Sequence, residues 1–172
     1  MWPWKGSNMA LVLDGSLGVT FPVTAGSASA VQASSTRVLQ VVNATTTTQD
    51  STTSSSYSAT SLTASITPSS ATSKILVLLS LKPGTVASGQ GVKFQLWRGG
   101  SSVFQIGTAN AYVNATGVAE IHGASSSSFL DSPTTTSSIT YTVYYGAGNN
   151  GQYAYNNINN DTSSIALMEI AA

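Results

Sequence analysis

Residues 73–82, Ser-Lys-Ile-Leu-Val-Leu-Leu-Ser-Leu-Lys, are the densest apolar run in a chain otherwise rich in hydroxyls. At a strand's period of two, Ile75, Val77, Leu79 and Leu81 share one face, while Leu76 and Leu78 share the other with Lys74, Ser80 and Lys82. The run is short, rich in branched residues and bracketed by turn chemistry, Thr67-Pro68-Ser69-Ser70 before it and Lys82-Pro83-Gly84 after it. It therefore reads as a central strand rather than a helix. Such a strand needs a sheet against its first face and a partner chain against its second.

The rest of the body follows the same period. Residues 37–43 form an expected first strand, and 44–56, a Thr/Ser tract without apolar periodicity, an expected exposed loop. Residues 57–67 alternate loosely, with Leu62 and Ile66 inward. In 91–98, Val92, Phe94 and Leu96 point inward and Lys93, Gln95 and Trp97 outward. Gly99-Gly100 supplies the positive φ of a tight hairpin into 102–107. Residues 118–122 and 127–133 are short strand candidates. In 138–145 the alternation is strict, Ile139, Tyr141, Val143 and Tyr145 against Ser138, Thr140, Thr142 and Tyr144. Residues 146–160 read as a Gly/Asn/Tyr loop. In the last strand, 164–171, Ile165 and Leu167 oppose Ala166, Met168 and Ile170.

Eight to ten short strands and no convincing helix imply an all-β antiparallel sandwich, jelly-roll-like, over residues 37–172. Residues 1–36, with Trp2, Trp4, Leu11, Leu13, Leu17, Val19 and Phe21 broken by Gly15, Gly18 and Pro22, hold too little apolar matter for a core. They read as an extended arm ordering against another body or, alternatively, folded back on its own domain. Strands 73–82 and 164–171 are apolar on both faces, more than one two-sheet sandwich covers. The simplest solution is a homotrimer about an axis lined by the last strand, with Leu76, Leu78, Met168 and Ile170 at the interface; cover by the chain's own loops is the alternative.

Composition narrows function. Charged residues are 7% of 172, against about 25% in ordinary soluble domains, and six basic residues balance six acidic ones. That leaves no electrostatic footprint for nucleic acid or an anionic membrane. Ser and Thr supply 51 residues, so solubility rests on hydroxyls and amides. Cysteine is absent, which removes disulfides, thiol catalysis and cysteine metal sites. No run approaches the ~20 apolar residues of a membrane helix, and residues 1–5 lack the apolar stretch of a signal peptide.

Catalytic constellations are thin. Glu120 and His122 share a strand face, and Asp131 or Asp161 would have to complete a metal site around them. A serine nucleophile would need this sole histidine as base, and no Gly-x-Ser-x-Gly elbow occurs. Of the carboxylates Asp14, Asp50, Glu120, Asp131, Asp161 and Glu169, none pairs for glycoside cleavage, and Glu169 is expected to meet a basic residue such as Arg37. Neither Gly15-Ser-Leu-Gly18 nor Gly89-Gln-Gly91 is a phosphate loop, and the sequons at Asn43, Asn114 and Asn160 are chance matches in so Asn- and Thr-rich a chain. The expectation is a chain with no catalytic residues, cofactor or metal. Trp97, Tyr112, Tyr153 and Tyr155, on a polar face or in Gly/Asn loops, are the expected contacts for a sugar or a protein.

Taken together, Val38-Leu-Gln-Val-Val42, Ser65-Ile-Thr-Pro-Ser-Ser70 with Ser73-Lys-Ile-Leu-Val77, Phe129-Leu-Asp-Ser-Pro133 with Ile139-Thr-Tyr-Thr-Val143, and Ile165-Ala-Leu-Met-Glu-Ile170 resemble a β-sandwich domain of tail-fibre-like virion proteins of tailed bacteriophages. Met9-Ala-Leu-Val-Leu-Asp-Gly15 and Gly18-Val-Thr-Phe-Pro22 are similar to the opening of such fibres, with residues 1–8 ahead of the usual start and no long shaft after it. The resemblance implies a trimeric, non-enzymatic virion component on the particle's exterior, made in the host cytoplasm and held to other virion proteins by its arm. Trp2, Trp4, Leu11, Leu13, Val19 and Phe21 would make that attachment. A tail fibre meeting a host surface glycan is the first reading and a decoration protein on the capsid the second; neither involves nucleic acid or membrane insertion.

Overall fold

In the computed structural model the chain divides into two units, Met1–Ser34 and Ser35–Ala172. The structure describes residues 12–14, 18–20, 37–86, 89–114, 120–149 and 151–171. In the first unit, β1 (Val12–Asp14) and β2 (Gly18–Thr20) pair antiparallel, with Leu13 opposite Val19.

The second unit runs β3 (Val38–Thr46), β4 (Asp50–Thr52), β5 (Ser58–Ile66), β6 (Lys74–Leu81), β7 (Pro83–Thr85), β8 (Gln90–Arg98), β9 (Ser101–Val113), β10 (Ile121–His122), β11 (Ser125–Asp131), β12 (Ile139–Ala147), β13 (Ala154–Asn156), a 3-10 turn at Ile158–Asn160, and β14 (Ser163–Ile170). Eight of these strands build two antiparallel four-stranded sheets, ordered β11-β6-β14-β3 and β5-β12-β8-β9. The pairs β3 with β14, β5 with β12, β6 with β11 and β8 with β9 make one ribbon folded so that successive pairs alternate between sheets. That wrapping is the jelly roll.

The core lies between the sheets. Ile75, Val77 and Leu81 of β6 and Ile165 and Leu167 of β14 face Val92, Phe94 and Leu96 of β8 and Tyr141 and Val143 of β12, all fully buried. Alternation on these strands puts the apolar set inward, as the sequence requires. At the β5–β12 ladder the register shifts between Thr142 and Tyr144, and the Val143 carbonyl accepts from the buried Thr60 Oγ1 at 2.8 Å. The β8–β9 hairpin turns on Gly99 (φ 55) and Gly100 (φ 88), a conformation that costs glycine little.

The remaining strands correct the sequence reading. Residues 44–56 are not one loop: β3 continues to Thr46 and β4 follows at Asp50–Thr52. Within 146–160, likewise read as a loop, lie β13 and the 3-10 turn. Together β10-β7-β13-β4 form a third sheet. Each of its strands belongs to one crossing connection between the main sheets: β4 between β3 and β5, β7 between β6 and β8, β10 between β9 and β11, β13 between β12 and β14. All four connections leave the same end of the sandwich, and the third sheet caps it. At the other end lie the short connections 67–73, 99–100 and 132–138. The chain enters the sandwich there, where Ala171 N–H donates to the Arg37 carbonyl at 2.9 Å.

Candidate functional site

The outward face of the β11-β6-β14-β3 sheet is apolar. Leu130, Leu76, Met168 and Val41 stand directly opposite one another, one residue from each strand, in a single row across it. The next row is Ser128, Leu78, Ala166 and Asn43, and on the other side Ile170 lies between Lys74 and Val38. Val38, Val41 and Leu130 are more than half exposed (52%, 56% and 57%), and Leu39 and Leu78 are exposed as well. Leu76, Met168 and Ile170 are half-buried among them. Residues on the two faces of β6 and β14 are both apolar because the core takes one set and leaves the other at the surface. With a strand rise of ~3.4 Å and a spacing of ~4.8 Å, these three rows, with Ser128, Asn43 and Lys74 among them, cover roughly 400 Å². That is about as large as the largest apolar patch of a soluble monomer, a size that usually marks a contact surface.

The outward face of the β5-β12-β8-β9 sheet has the opposite chemistry. Thr63 and Ser65 of β5 exchange hydroxyl hydrogen bonds with Thr142 (3.1 Å) and Thr140 (2.7 Å) of β12. Gln95 Nε2 donates to Gln105 Oε1 at 2.8 Å, and the Trp97 indole N–H to Gln95 Oε1 at 3.0 Å. Trp97 stacks on Tyr144, ring centroids 4.2 Å apart, and Lys93 Nζ lies 4.9 Å from the centre of the Tyr57 ring. These groups are satisfied by one another, so the face suits water.

The other expected contact residues separate. Trp97 lies on this hydroxyl face; Tyr112, 54% exposed, is on β9; Tyr153 and Tyr155 stand together on the capping sheet, stacked at 5.9 Å. Of the expected attachment residues, Leu13 and Val19 pair in the β1–β2 hairpin, while Trp2, Trp4, Leu11 and Phe21 lie outside the described residues. Sequence reasoning named Leu76, Leu78, Met168 and Ile170 for the apolar face and missed Val38, Val41 and Leu130. The signal was present in β3, whose Val38-Leu39-Gln40-Val41-Val42 is apolar on both faces.

The buried ionisable groups tie the sandwich together. Glu169, fully buried on β14, accepts from Ser69 N–H (2.7 Å), Ser69 Oγ (2.6 Å) and Gln40 Nε2 (2.7 Å). This replaces the expected pairing with Arg37: β14 carries Glu169 to the connection 67–73, whose donors are neutral. Burial by itself raises a carboxyl's pKa, but here the Ser69 and Gln40 hydrogen bonds lower it by more, from 4.5 to about 2. Asp131 is not free to complete a metal site. It pairs with Arg98 Nη1 at 2.5 Å and accepts from Tyr141 OH at 2.6 Å, linking β11 of one sheet to β8 and β12 of the other. Burial, and then the bond to Asp131, push the Tyr141 hydroxyl above the ordinary tyrosine range. Asp50 accepts from Ser61 N–H, Ser61 Oγ and Asn156 Nδ2, and burial, with the Asp50 charge second, raises Tyr145 to about 12. Among the described residues, no three His, Asp or Glu side chains converge to hold a metal.

No family model and no curated protein match the chain. Among solved structures it is similar to the VP2 subviral particle of infectious bursal disease virus, with a TM-score of 0.51 and 13% identity over 97% of this chain and 40% of that one. The structure of the Gt strain of the same virus matches with a TM-score of 0.47 and 11% identity, over 94% of this chain and 43% of that one. The chain thus spans less than half the length of either. The first likeness shows a fold, the all-β sandwich.

Proposed function

We propose that the chain is a non-enzymatic virion structural protein: a homotrimeric small fibre of a tailed bacteriophage, held to the particle by residues 1–36 and presenting the sandwich to the outside. The observation that carries this reading is the contrast between the two outward sheet faces, one a hydroxyl surface made for water and the other an apolar row from Leu130 to Val41 made to be covered. Copies packed about a three-fold axis cover that face completely, because each sheet meets its two neighbours and none is left over. Three such faces bury roughly 1,200 Å² in the trimer, about 400 Å² for each pair of copies, so the axis as a whole rather than any one pair reaches the roughly 1,000 Å² of a specific interface. A charge content of 7% means that close-packed copies bring few like charges together.

The sandwich also has a polarity that suits attachment. The chain enters at Arg37, at the end bearing the short connections, so the capping sheet is the far end. An arm on the particle would point the capping sheet outward, towards a host surface in the tail-fibre reading. Decoration of the capsid is the second reading, favoured by the likeness to a protein of a virus particle.

Labelling intact virions with an antibody to residues 37–172 tests both. Label at the tail is the expected result, label over the head selects decoration, and virions without label would overturn the virion assignment. A chain lacking residues 1–22 is expected to remain folded and oligomeric and to be lost from particles; retention on particles would overturn the role of the arm.

A further inference from the structure

The outward face of the capping sheet gathers aromatic and polar groups that the sandwich does not use. Its inward residues Thr85, Ala154 and Asn156 are fully buried. On the outward side, His122, Gly84, Tyr155 and Ser51 stand opposite one another across the four strands. Tyr153, two residues before Tyr155, shares that face; the two rings stack at 5.9 Å with planes 17° apart, and Tyr153 is 51% exposed. Across the sheet, His122 Nε2 lies 3.6 Å from Glu120 Oε1 and 3.4 Å from Asn159 Nδ2, and the His122 and Glu120 side chains are 40% and 41% exposed.

Between these two groups the side chain of Ile158, only 3% exposed, closes over Gly84. Gly84 has no side chain, and the space its Cβ would need is filled by Ile158, whose Cγ2 lies 2.5 Å from that position. His122 and Tyr155 are two strands apart, so about 10 Å separates the polar group from the aromatic one, with Ile158 between them. Asn159 holds its place through a left-handed backbone (φ 55) and a bond from its N–H to Gln49 Oε1 at 3.0 Å.

We propose that this surface is a carbohydrate-binding site for a neutral glycan. The C–H face of a sugar ring packs on Tyr153 and Tyr155, and its hydroxyls meet an acceptor at Glu120, a donor at Asn159 and either role at His122. Charge selects against other ligands. The carboxylate of Glu120 repels phosphate and acidic sugars, and among the described residues His122 is the one basic group paired with it. The proposal deepens the host-contact part of the proposed function and rests on it for the source of the sugar, a glycan chain borne on a surface. Three copies would strengthen a weak single contact through avidity.

The test is calorimetric titration of the full chain with dextran, mannan, galactan and chitin oligosaccharides, with heparin as the anionic control and molar mass measured on the same samples. Binding of at least one neutral glycan is expected, tighter as polymer than as disaccharide. A polymer preference marks a surface-borne chain, and equal affinity a free oligosaccharide. Tyr153→Ala with Tyr155→Ala should weaken binding at least tenfold, and Glu120→Gln several-fold. Tyr153→Phe with Tyr155→Phe, which keeps the stack, should retain it. No neutral glycan bound, preference for heparin, or binding indifferent to the alanine pair would overturn the site. The molar mass reports separately on self-assembly, so a trimer that binds no sugar sinks this inference alone.

Discussion

At the scale of single residues, the sandwich depends on buried carboxylates met by donors from distant chain segments. Glu169 is the clearest case. Its pKa falls from 4.5 to about 2 in the folded state, so the folded chain gives up this proton more readily than the unfolded one. The stability it contributes is complete above pH 4.5 and is lost as the pH falls towards 2. The contribution is on the order of a few kcal/mol, because three charge-assisted hydrogen bonds are lost on protonation. Replacing Glu169 with Gln should lower the unfolding midpoint at neutral pH and flatten its fall between pH 4.5 and 2; two parallel curves would contradict the assignment. The position of Glu169 on an inward-apolar strand was legible in the sequence, but its partners were not. Charge alone suggested Arg37, whereas the fold brings Ser69, a hundred positions away, to the carboxylate.

At the scale of elements, legibility follows length and period. β6, β8, β12 and β14 each hold seven or more alternating positions, and their inward sets read directly from the sequence. β4, β7 and β13 hold three residues each, drawn largely from Ser, Thr, Gly, Asn and Pro, so no hydrophobic period marks them, while the two-residue β10 falls within the strand expected over 118–122. They are strands because the main sheets bring their backbones side by side. Gly84 shows how closely they fit. A Cβ there would stand 2.5 Å from Ile158 Cγ2, so Gly84→Ala should cost about 1–3 kcal/mol through overpacking. Combined with Ile158→Ala, which empties that space, the loss should be smaller than the sum of the two single losses, as measured by denaturant unfolding. Additive losses would mean that Ile158 is not what Gly84 makes room for.

For the whole molecule, the jelly roll explains why one sheet can carry apolar residues on both faces: the core between the sheets takes only one of them. Wrapping four strand pairs around a single core leaves two outward faces, and this sequence gives them different chemistry: Thr63, Ser65, Thr140 and Thr142 on one, Leu76, Val41, Met168 and Leu130 on the other. The two-faced character of β6 and β14 was visible in the sequence. The extension of the apolar row to Val41 and Leu130 needed the register. Placing a charge in that row should leave each sandwich intact, since these side chains lie outside the core, while making close packing of copies costly. The measurement that bears most directly on the account is therefore the molar mass of the full chain in solution by sedimentation equilibrium, for the native sequence and for Leu76→Glu combined with Met168→Glu. The account predicts three times the 17.6 kDa chain mass for the native protein and a folded monomer for the variant, with its far-ultraviolet spectrum unchanged. A native protein at 17.6 kDa, or a variant that stays trimeric, would contradict it.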